Sequence, residues 1–252
     1  MNYNWHWRIL YEQEPGGTGT YLHYLIVGLG WTLLTALAAW VIALIIGSLI
    51  GTLRTTPIQW AVRLGNLYVE IFRNVPLIVQ MFLWFFVVPE LLPKGLGDWI
   101  KQIPPPWGSY VPAVMCLAIF TSVRIAEQVR AGINSLPRGQ RMAAIAMGLT
   151  EAQAYRHVIL PQAFRIILPP LTSEFMNVIK NSSVALTIGL LELTGRARAM
   201  QEFSFRVFEA FTVATVIYLL TNLMVVLLMR ALEKKVRVPG LIAVGGAPQA
   251  GH

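Results

Sequence analysis

The sequence is poor in charge and has almost no cysteine, and both shortages exclude classes of protein. Charged residues make up only 13% of the 252 residues and hydrophobic residues 56%, which does not suit a soluble globular domain. The one cysteine, Cys116, can form neither an internal disulfide nor a cysteine-based metal site. The four histidines are scattered without the spacing of metal ligands. We therefore expect a membrane protein without metal or redox chemistry.

Two sequence signals are also missing. The segment around Trp5, Trp7 and Glu12 lacks the basic and short apolar regions of a cleavable signal, so the first apolar stretch is expected to be an uncleaved span. No G-x-x-x-x-G-K-[ST] phosphate loop occurs, so we expect no cofactor in this chain and no nucleotide site. The net charge of +8 could suit nucleic acid, but Lys and Arg also collect in cytoplasmic loops, and no nucleic-acid partner is expected.

Long apolar stretches predict an all-α integral membrane protein that forms a single transmembrane domain over residues 1–252. The first has no charged residue over thirty positions, which reach about 45 Å as a helix and exceed a hydrocarbon core of about 30 Å. Five spans are predicted, at about residues 24–53, 64–88, 111–129, 166–190 and 207–231.

The distribution of Lys and Arg predicts an N-out, C-in orientation. With that topology the inner segments carry eleven basic residues and the outer segments six. Residues 89–110, which include three consecutive prolines and several aromatics, are predicted to form a non-helical outer cap. The tail, residues 238–252, has no helical period and is predicted to be mobile.

Small residues recur every fourth position on the first span. They form one smooth stripe that permits close helix approach, against either another span of this chain, which we favour, or a second subunit. The residues are Ala39, Ala43, Gly47 and Gly51.

The longest predicted cytoplasmic stretch, residues 131–165, is expected to fold as two short helices. The first follows Pro137 and ends at Gly148, and a capping box at Thr150 and Gln153 opens the second, which is predicted to end at Leu160-Pro161. Such a pair would form an elbow that projects from the membrane.

This elbow resembles the "EAA" loop of ABC importer permeases, whose pattern is Glu-Ala-Ala, Gly, Ile and Leu-Pro. The spacing matches throughout. Two positions differ, because Met142 replaces the glutamate and Val158 the isoleucine. The loss of the carboxylate leaves open what position 142 does. The residues at the motif positions are Met142, Ala143, Ala144, Gly148, Val158, Leu160 and Pro161.

Three more segments resemble the polar amino-acid subfamily of these permeases, and within it the glutamate and aspartate permeases of Gram-negative bacteria. Residues 72–80 read FRNVPLIVQ, residues 125–133 read IAEQVRAGI, and residues 180–183 read KNSS. The resemblance implies the type I importer permease fold, with a coupling-helix elbow between spans three and four, in the bacterial inner membrane.

The resemblance also implies a transport role and partners. The chain would be a non-catalytic subunit that moves a polar, acidic amino acid by alternating access. Its partners would be two cytoplasmic ATPase subunits that bind ATP and Mg²⁺, a periplasmic solute-binding protein, membrane lipid, and a second permease subunit that is identical or related.

Five polar residues inside predicted spans are candidates for the substrate path. An ionised group in hydrocarbon is costly and normally faces a cavity or a partner. Arg124 and Glu127 lie three residues apart and could instead pair on one helix face, and Arg73 could be structural. A lining role is favoured for Lys180 and Asn181 because other polar residues surround them in sequence.

Two other functions were weighed. A self-contained secondary transporter usually shows duplicated halves, and the five unequal spans show none. An intramembrane hydrolase could use Ser182 or Ser183, but no histidine lies in a span to act as base. The exact amino acid and the pairing of permeases stay open at this point.

Overall fold

The structure, a computed structural model, describes residues 3–17 and 19–236, which form helices and short connections. The predicted all-α fold is confirmed over these residues, and the predicted mobile tail lies outside them. The helices are α1 (Tyr21–Leu53), α2 (Gln59–Arg73), α3 (Leu77–Phe82), α4 (Val88–Leu91), α5 (Lys94–Lys101), α6 (Trp107–Asn134), α7 (Arg138–Ala146), α8 (Glu151–Ala154), α9 (Leu160–Asn181), α10 (Leu193–Ser204) and α11 (Val207–Val236). Two π-turns, Leu83–Val87 and Tyr155–Ile159, and two 3₁₀ helices, Trp7–Tyr11 and Ser182–Ile188, complete the described elements.

Three described helices, α1, α6 and α11, are long and apolar enough to cross a membrane. A fourth span is obtained if α2 and Leu77–Leu91 count as one bent span. The predicted number of five is therefore not confirmed. The predicted fourth span falls on α9 and the following 3₁₀ helix, where Pro169, Pro170 and three charged side chains dilute the apolar character.

The predicted span over residues 64–88 is not one straight helix, because the chain bends by 99° between α2 and Leu77–Leu91. A proline disfavours the helical conformation of the residue before it, and Pro76 lacks the N–H that would continue the helix. The side chain of Gln80 then donates to the carbonyls of Phe72 at 2.9 Å and Val75 at 3.0 Å. These two hydrogen bonds satisfy carbonyls that the bend leaves free.

Each π-turn lies just before a proline. Pro89 and Pro161 stand two residues beyond the turns, so the carbonyl four residues before each proline, that of Phe85 or His157, falls within the turn. A proline ring normally clashes with that carbonyl. The wider π-turn gives it room, so the helix continues instead of ending.

The predicted non-helical cap over residues 89–110 is also wrong for most of its length. Helices α4 and α5 occupy its first half, and α6 begins at Trp107. An ion pair of 2.6 Å between Lys101 and Glu90 fastens α5 to α4. The proline run therefore interrupts the helices only at residues 102–106.

The stripe of small residues on α1 packs against α6 of the same chain, as favoured from the sequence. A Cβ atom added to Gly47 would lie 2.7 Å from the Ser122 carbonyl and the Ile125 Cβ. One added to Gly51 would lie 2.7 Å from the carbonyl of Ala126. The two backbones therefore approach as closely as glycine permits.

Helix α6 lies at the centre of the domain. Inside the molecule, 67% of its most apolar window is buried, against 28% for α1 and 17% for α11. Apolar clusters join α6 to α1, α3 and α9, while α10 and the start of α11 pack on the first turns of α1. The outer faces of α1 and α11 are left for lipid or for another subunit.

We expect Gly47→Ala to destabilise the chain and Gly30→Ala, on the same helix, to stabilise it. Either change improves helix propensity by about 1 kcal/mol. Only at Gly47 does the new methyl group collide with α6, since nothing lies within 4 Å of a Cβ at Gly30. Overpacking costs about 1–3 kcal/mol. Thermal unfolding of the two variants in detergent measures the difference, and shifts of the same sign and size would contradict the close packing.

Candidate functional site

The elbow turns sharply at Gly148, directly after α7. Gly148 has a φ of +90°, which is the left-handed region that glycine tolerates. Its N–H donates to the carbonyl of Ile145 at 2.9 Å, and the N–H of Leu149 donates to that of Ala144 at 3.2 Å. These two bonds form a Schellman motif that ends the helix. The predicted break at Gly148 is confirmed.

The second elbow helix opens with the predicted capping box. The Thr150 hydroxyl accepts from the N–H of Gln153, and the Gln153 side chain accepts from the N–H of Thr150. Across the turn, Arg141 holds Glu151 through two hydrogen bonds of 3.0 and 2.6 Å. The Arg141 guanidinium keeps the pKa of the Glu151 carboxyl below its ordinary value. The two short helices are therefore braced against each other.

The elbow presents apolar side chains to its surroundings. Met142 is 65% exposed and Met147 76% exposed, whereas Ala144 is buried against the chain's own body. A groove of about 800 Å³ lies beside α7 and is lined in part by Met142, Ile145 and Tyr155. Because Met142 points outward, the carboxylate that it replaces in the family pattern is not needed for this chain's own fold.

The predicted end of the second helix at Leu160-Pro161 is wrong. Because the π-turn Tyr155–Ile159 accommodates Pro161, the chain continues as α9 to Asn181. Val158 and Leu160 are partly buried and pack on a cluster that includes Val129 and Ile167. This half of the motif thus forms the base on which the elbow stands.

The pairing of Arg124 with Glu127 that their spacing allows does not form. Arg124 lies 3.7 Å from Glu174 on α9, and Glu127 lies 3.0 Å from Arg54 at the end of α1. Both charges connect α6 to another helix, which is a use of ion pairs that spacing along one helix cannot reveal. Both remain candidates, since their side chains are 48% and 43% exposed.

The other candidates lie where regular helix ends. Arg73 is the last residue of α2, makes a 3.4 Å contact with Glu70, and is half exposed. Lys180 and Asn181 close α9, just before the 3₁₀ helix Ser182–Ile188. Lys180 is exposed, and no carboxylate of the residues that the structure describes lies within 4.0 Å of its ammonium group. Its charge is thus available to something outside the chain.

The serine hydroxyls of the KNSS segment donate hydrogen bonds to backbone carbonyls at the end of α9, where the 3₁₀ helix begins. The Ser182 hydroxyl donates to the carbonyl of Ile179 at 2.8 Å, and that of Ser183 to Lys180 at 2.7 Å. Irregular backbone at membrane depth needs such partners. Both serines therefore have a structural use.

The sequence reasoning missed several buried polar residues of the described chain, among them Gln80, Arg54 and Glu192. Gln80 is 2% exposed at the bend described above, and Arg54, which directly follows α1, is 7% exposed. Glu192 is fully buried and accepts from Thr194 and Gly195 N–H groups and from the hydroxyls of Thr32 and Tyr218. Gln80 ends the FRNVPLIVQ segment and Arg54 follows a long span without charges, and these positions were the available signals.

No group of three or more His, Cys, Asp or Glu side chains within residues 3–17 and 19–236 is arranged to hold a metal ion.

An elbow of two braced helices on a helical membrane domain is the architecture of a permease subunit of an ABC importer. The chain belongs to the family of binding-protein-dependent transport system inner membrane components, whose model matches residues 43–238. Members of this family are non-catalytic transport subunits, and a separate subunit hydrolyses ATP.

Several known proteins resemble the chain over most of its length. The glutamate/aspartate import permease protein GltJ of Escherichia coli (strain K12) is 48% identical over 241 residues, which cover 95% of this chain and 98% of GltJ. The probable glutamine ABC transporter permease protein GlnM of Bacillus subtilis (strain 168) is 34% identical, with 81% and 89% covered.

Solved structures support the fold. The crystal structure of an amino acid ABC transporter with histidines matches with a TM-score of 0.72 and 32% identity, and covers 85% of this chain and 95% of that one. An inward-facing MetNI methionine ABC transporter matches with a TM-score of 0.70 at 20% identity, covering 86% and 98%, and shows the fold alone.

Proposed function

We propose that this chain is the permease subunit of an ATP-driven importer that moves glutamate or aspartate into the cytoplasm. The elbow is the observation that supports the ATP-driven part, because Arg141 and Glu151 hold its two helices together, it projects apolar side chains, and it matches the family's spacing. The 48% identity to GltJ supports an acidic amino acid as substrate. Family membership leaves no reason to retain the secondary transporter or the hydrolase.

The proposed importer needs several partners. ATP and Mg²⁺ bind on two cytoplasmic ATPase subunits, and a periplasmic binding protein delivers the amino acid. A second permease, identical or related, completes the pore in the bacterial inner membrane. The half-exposed Arg73 and Arg124 and the exposed Lys180 support this, because ionised groups on the surface of a lone subunit would otherwise face lipid.

The proposed topology places the elbow in the cytoplasm and the N-terminus outside. The count of eleven inner against six outer basic residues supports it. In a Cys116→Ala background, a single cysteine at Lys94 is expected to react with an impermeant thiol reagent added outside, and one at Gly139 is not. Reaction from outside at Gly139 alone, or at both sites, would reverse the assignment.

Alternating access supplies the mechanism in this proposal. Closure of the ATPase dimer moves the two elbows, and each elbow carries α9 because the π-turn makes them one continuous helical unit. Helix α9 ends in Lys180 and Asn181, so the same displacement reorients the proposed substrate path.

We expect a charge at Met147 to weaken docking of the ATPase. Met147 is the more exposed methionine of the elbow, and burying a carboxylate in an apolar contact without a partner is costly. Met147→Glu should therefore lower copurification of the ATPase with the chain. Met142→Glu is the matched control, because it adds the same charge to the same elbow at the position where the family pattern has glutamate. Equal effects of the two variants would argue against a specific docking surface.

A charge at Ala144 would be a poorer probe of ATPase docking than one at Met147. Ala144 is 1% exposed and faces the chain itself, so a charge there would disturb the elbow's own packing.

Lys180 is expected to assist passage of an anionic substrate. A carboxylate that crosses low-dielectric surroundings is stabilised by a nearby cation, so the sign of the charge should matter more than the size of the side chain. Lys180→Gln should reduce uptake of glutamate or aspartate by about ten-fold, the effect of losing roughly 1.4 kcal/mol, whereas Lys180→Arg should retain most of it.

The comparison requires complexes of equal yield and equal basal ATPase activity. Lys234→Gln, an exposed lysine near the end of α11, is the control for loss of one positive charge. Uptake by Lys180→Gln equal to that of the parent would remove Lys180 from the path.

A further inference from the structure

Arg54 joins three helices at the end of the domain that carries the elbow. It follows the last residue of α1, and its side chain is 96% buried, since only 4% of it is exposed. Its Nε donates to Asn66 Oδ1 on α2 at 2.8 Å, and its Nη2 donates to Glu127 Oε1 on α6 at 3.0 Å. Gly65 makes room for it, because a Cβ there would lie 2.6 Å from the Arg54 Cγ. The end of α1 is thus fixed to α2 and α6.

The next residue connects the same point to the elbow. The carbonyl of Thr55 accepts a hydrogen bond of 2.7 Å from the hydroxyl of Tyr155. Tyr155 is the first residue of the π-turn and directly follows elbow helix α8. Arg54 therefore contacts α2 and α6, and the adjacent Thr55 contacts the elbow through Tyr155.

The Arg54 contact is incomplete in this arrangement. Its Nη1 is buried and has no hydrogen-bond partner among the residues that the structure describes. An unsatisfied buried donor is costly, and a charged one more so. Glu127 is 43% exposed, and its Oε2 makes no hydrogen bond within the described chain. A small displacement could therefore convert one Arg54–Glu127 hydrogen bond into a two-bond fork, the geometry that guanidinium and carboxylate groups favour.

We propose that Arg54 is a positioning residue that transmits displacement of the elbow, through Tyr155 and Thr55, to α2 and α6. The single-bond arrangement seen here and the two-bond fork are its two positions. Since α2 leads into the 99° bend and α6 is the central helix, the linkage reaches the parts of the domain that border the proposed path. This inference rests on the proposed function of the elbow as the ATPase contact.

The experiment uses the complete importer, with its ATPase, binding protein and second permease, reconstituted in liposomes. The variants are Arg54→Lys, which keeps the charge but loses the planar fork, Tyr155→Phe, which removes only the hydroxyl, and the double variant. Arg63→Lys is the matched control, because Arg63 is an exposed arginine on α2. The readout is amino acid transported per ATP hydrolysed, measured at equal assembly.

Each single variant is expected to lower this ratio by at least roughly five-fold, the lower end of common coupling factors between sites. The double variant should be no worse than the poorer single variant, because both interrupt one linkage. Arg63→Lys should match the parent.

Three results would overturn the inference. They are an unchanged ratio in Arg54→Lys at equal assembly, multiplied losses in the double variant, and loss of assembly in Arg54→Lys together with an unchanged ratio in Tyr155→Phe. The last result would make Arg54 a purely structural residue. Failure of the unaltered importer to show any ATP-dependent uptake would instead contradict the proposed function, so the two failures are distinguishable.

Discussion

The close contact between α1 and α6 is the constraint on which the rest of the domain depends. The Gly47 and Gly51 backbones touch α6 directly, so the longest described helix and the central helix are held at a fixed separation. Little hydrophobic force drives helices together inside lipid, and close packing of small residues takes its place. Two ionic links to other helices, Arg54 to Glu127 and Arg124 to Glu174, then use α6 as their common anchor.

Several of these features could be predicted from the sequence. The long stretch without charge predicted α1, and the positions of Gly148 and Thr150 predicted the turn and cap of the elbow, because local backbone chemistry determines the turn and the cap. The stripe of small residues on α1 was also correctly expected to pack against another helix of this chain. Small residues at every fourth position form a smooth face that allows close helix packing.

Other features depend on contacts between residues far apart in the chain. Pro76 and Pro161 look alike in sequence, yet the chain bends at one and continues through the other, because Gln80 satisfies the bend and a π-turn absorbs the second proline. Likewise, the spacing of Arg124 and Glu127 would allow them to pair with each other. Instead, Arg124 pairs with Glu174 on α9, and Glu127 pairs with Arg54 at the end of α1. Local patterns could not choose between these outcomes because the deciding atoms lie on other helices.

The π-turn at Tyr155–Ile159 also determines the rotation of the elbow relative to α9. It fits one additional residue into a turn of helix, and one residue corresponds to about 100° of rotation. The elbow and the side chains of α9, Glu174 and Lys180 among them, are therefore set at a relative rotation that an unbroken α-helix of the same length would not have. A gain or loss of a single residue in this turn would rotate the elbow relative to α9 by about 100° and leave the helices on both sides of the turn unchanged. The coupling geometry of the domain can thus diverge between relatives through one short insertion, without any change in the membrane core.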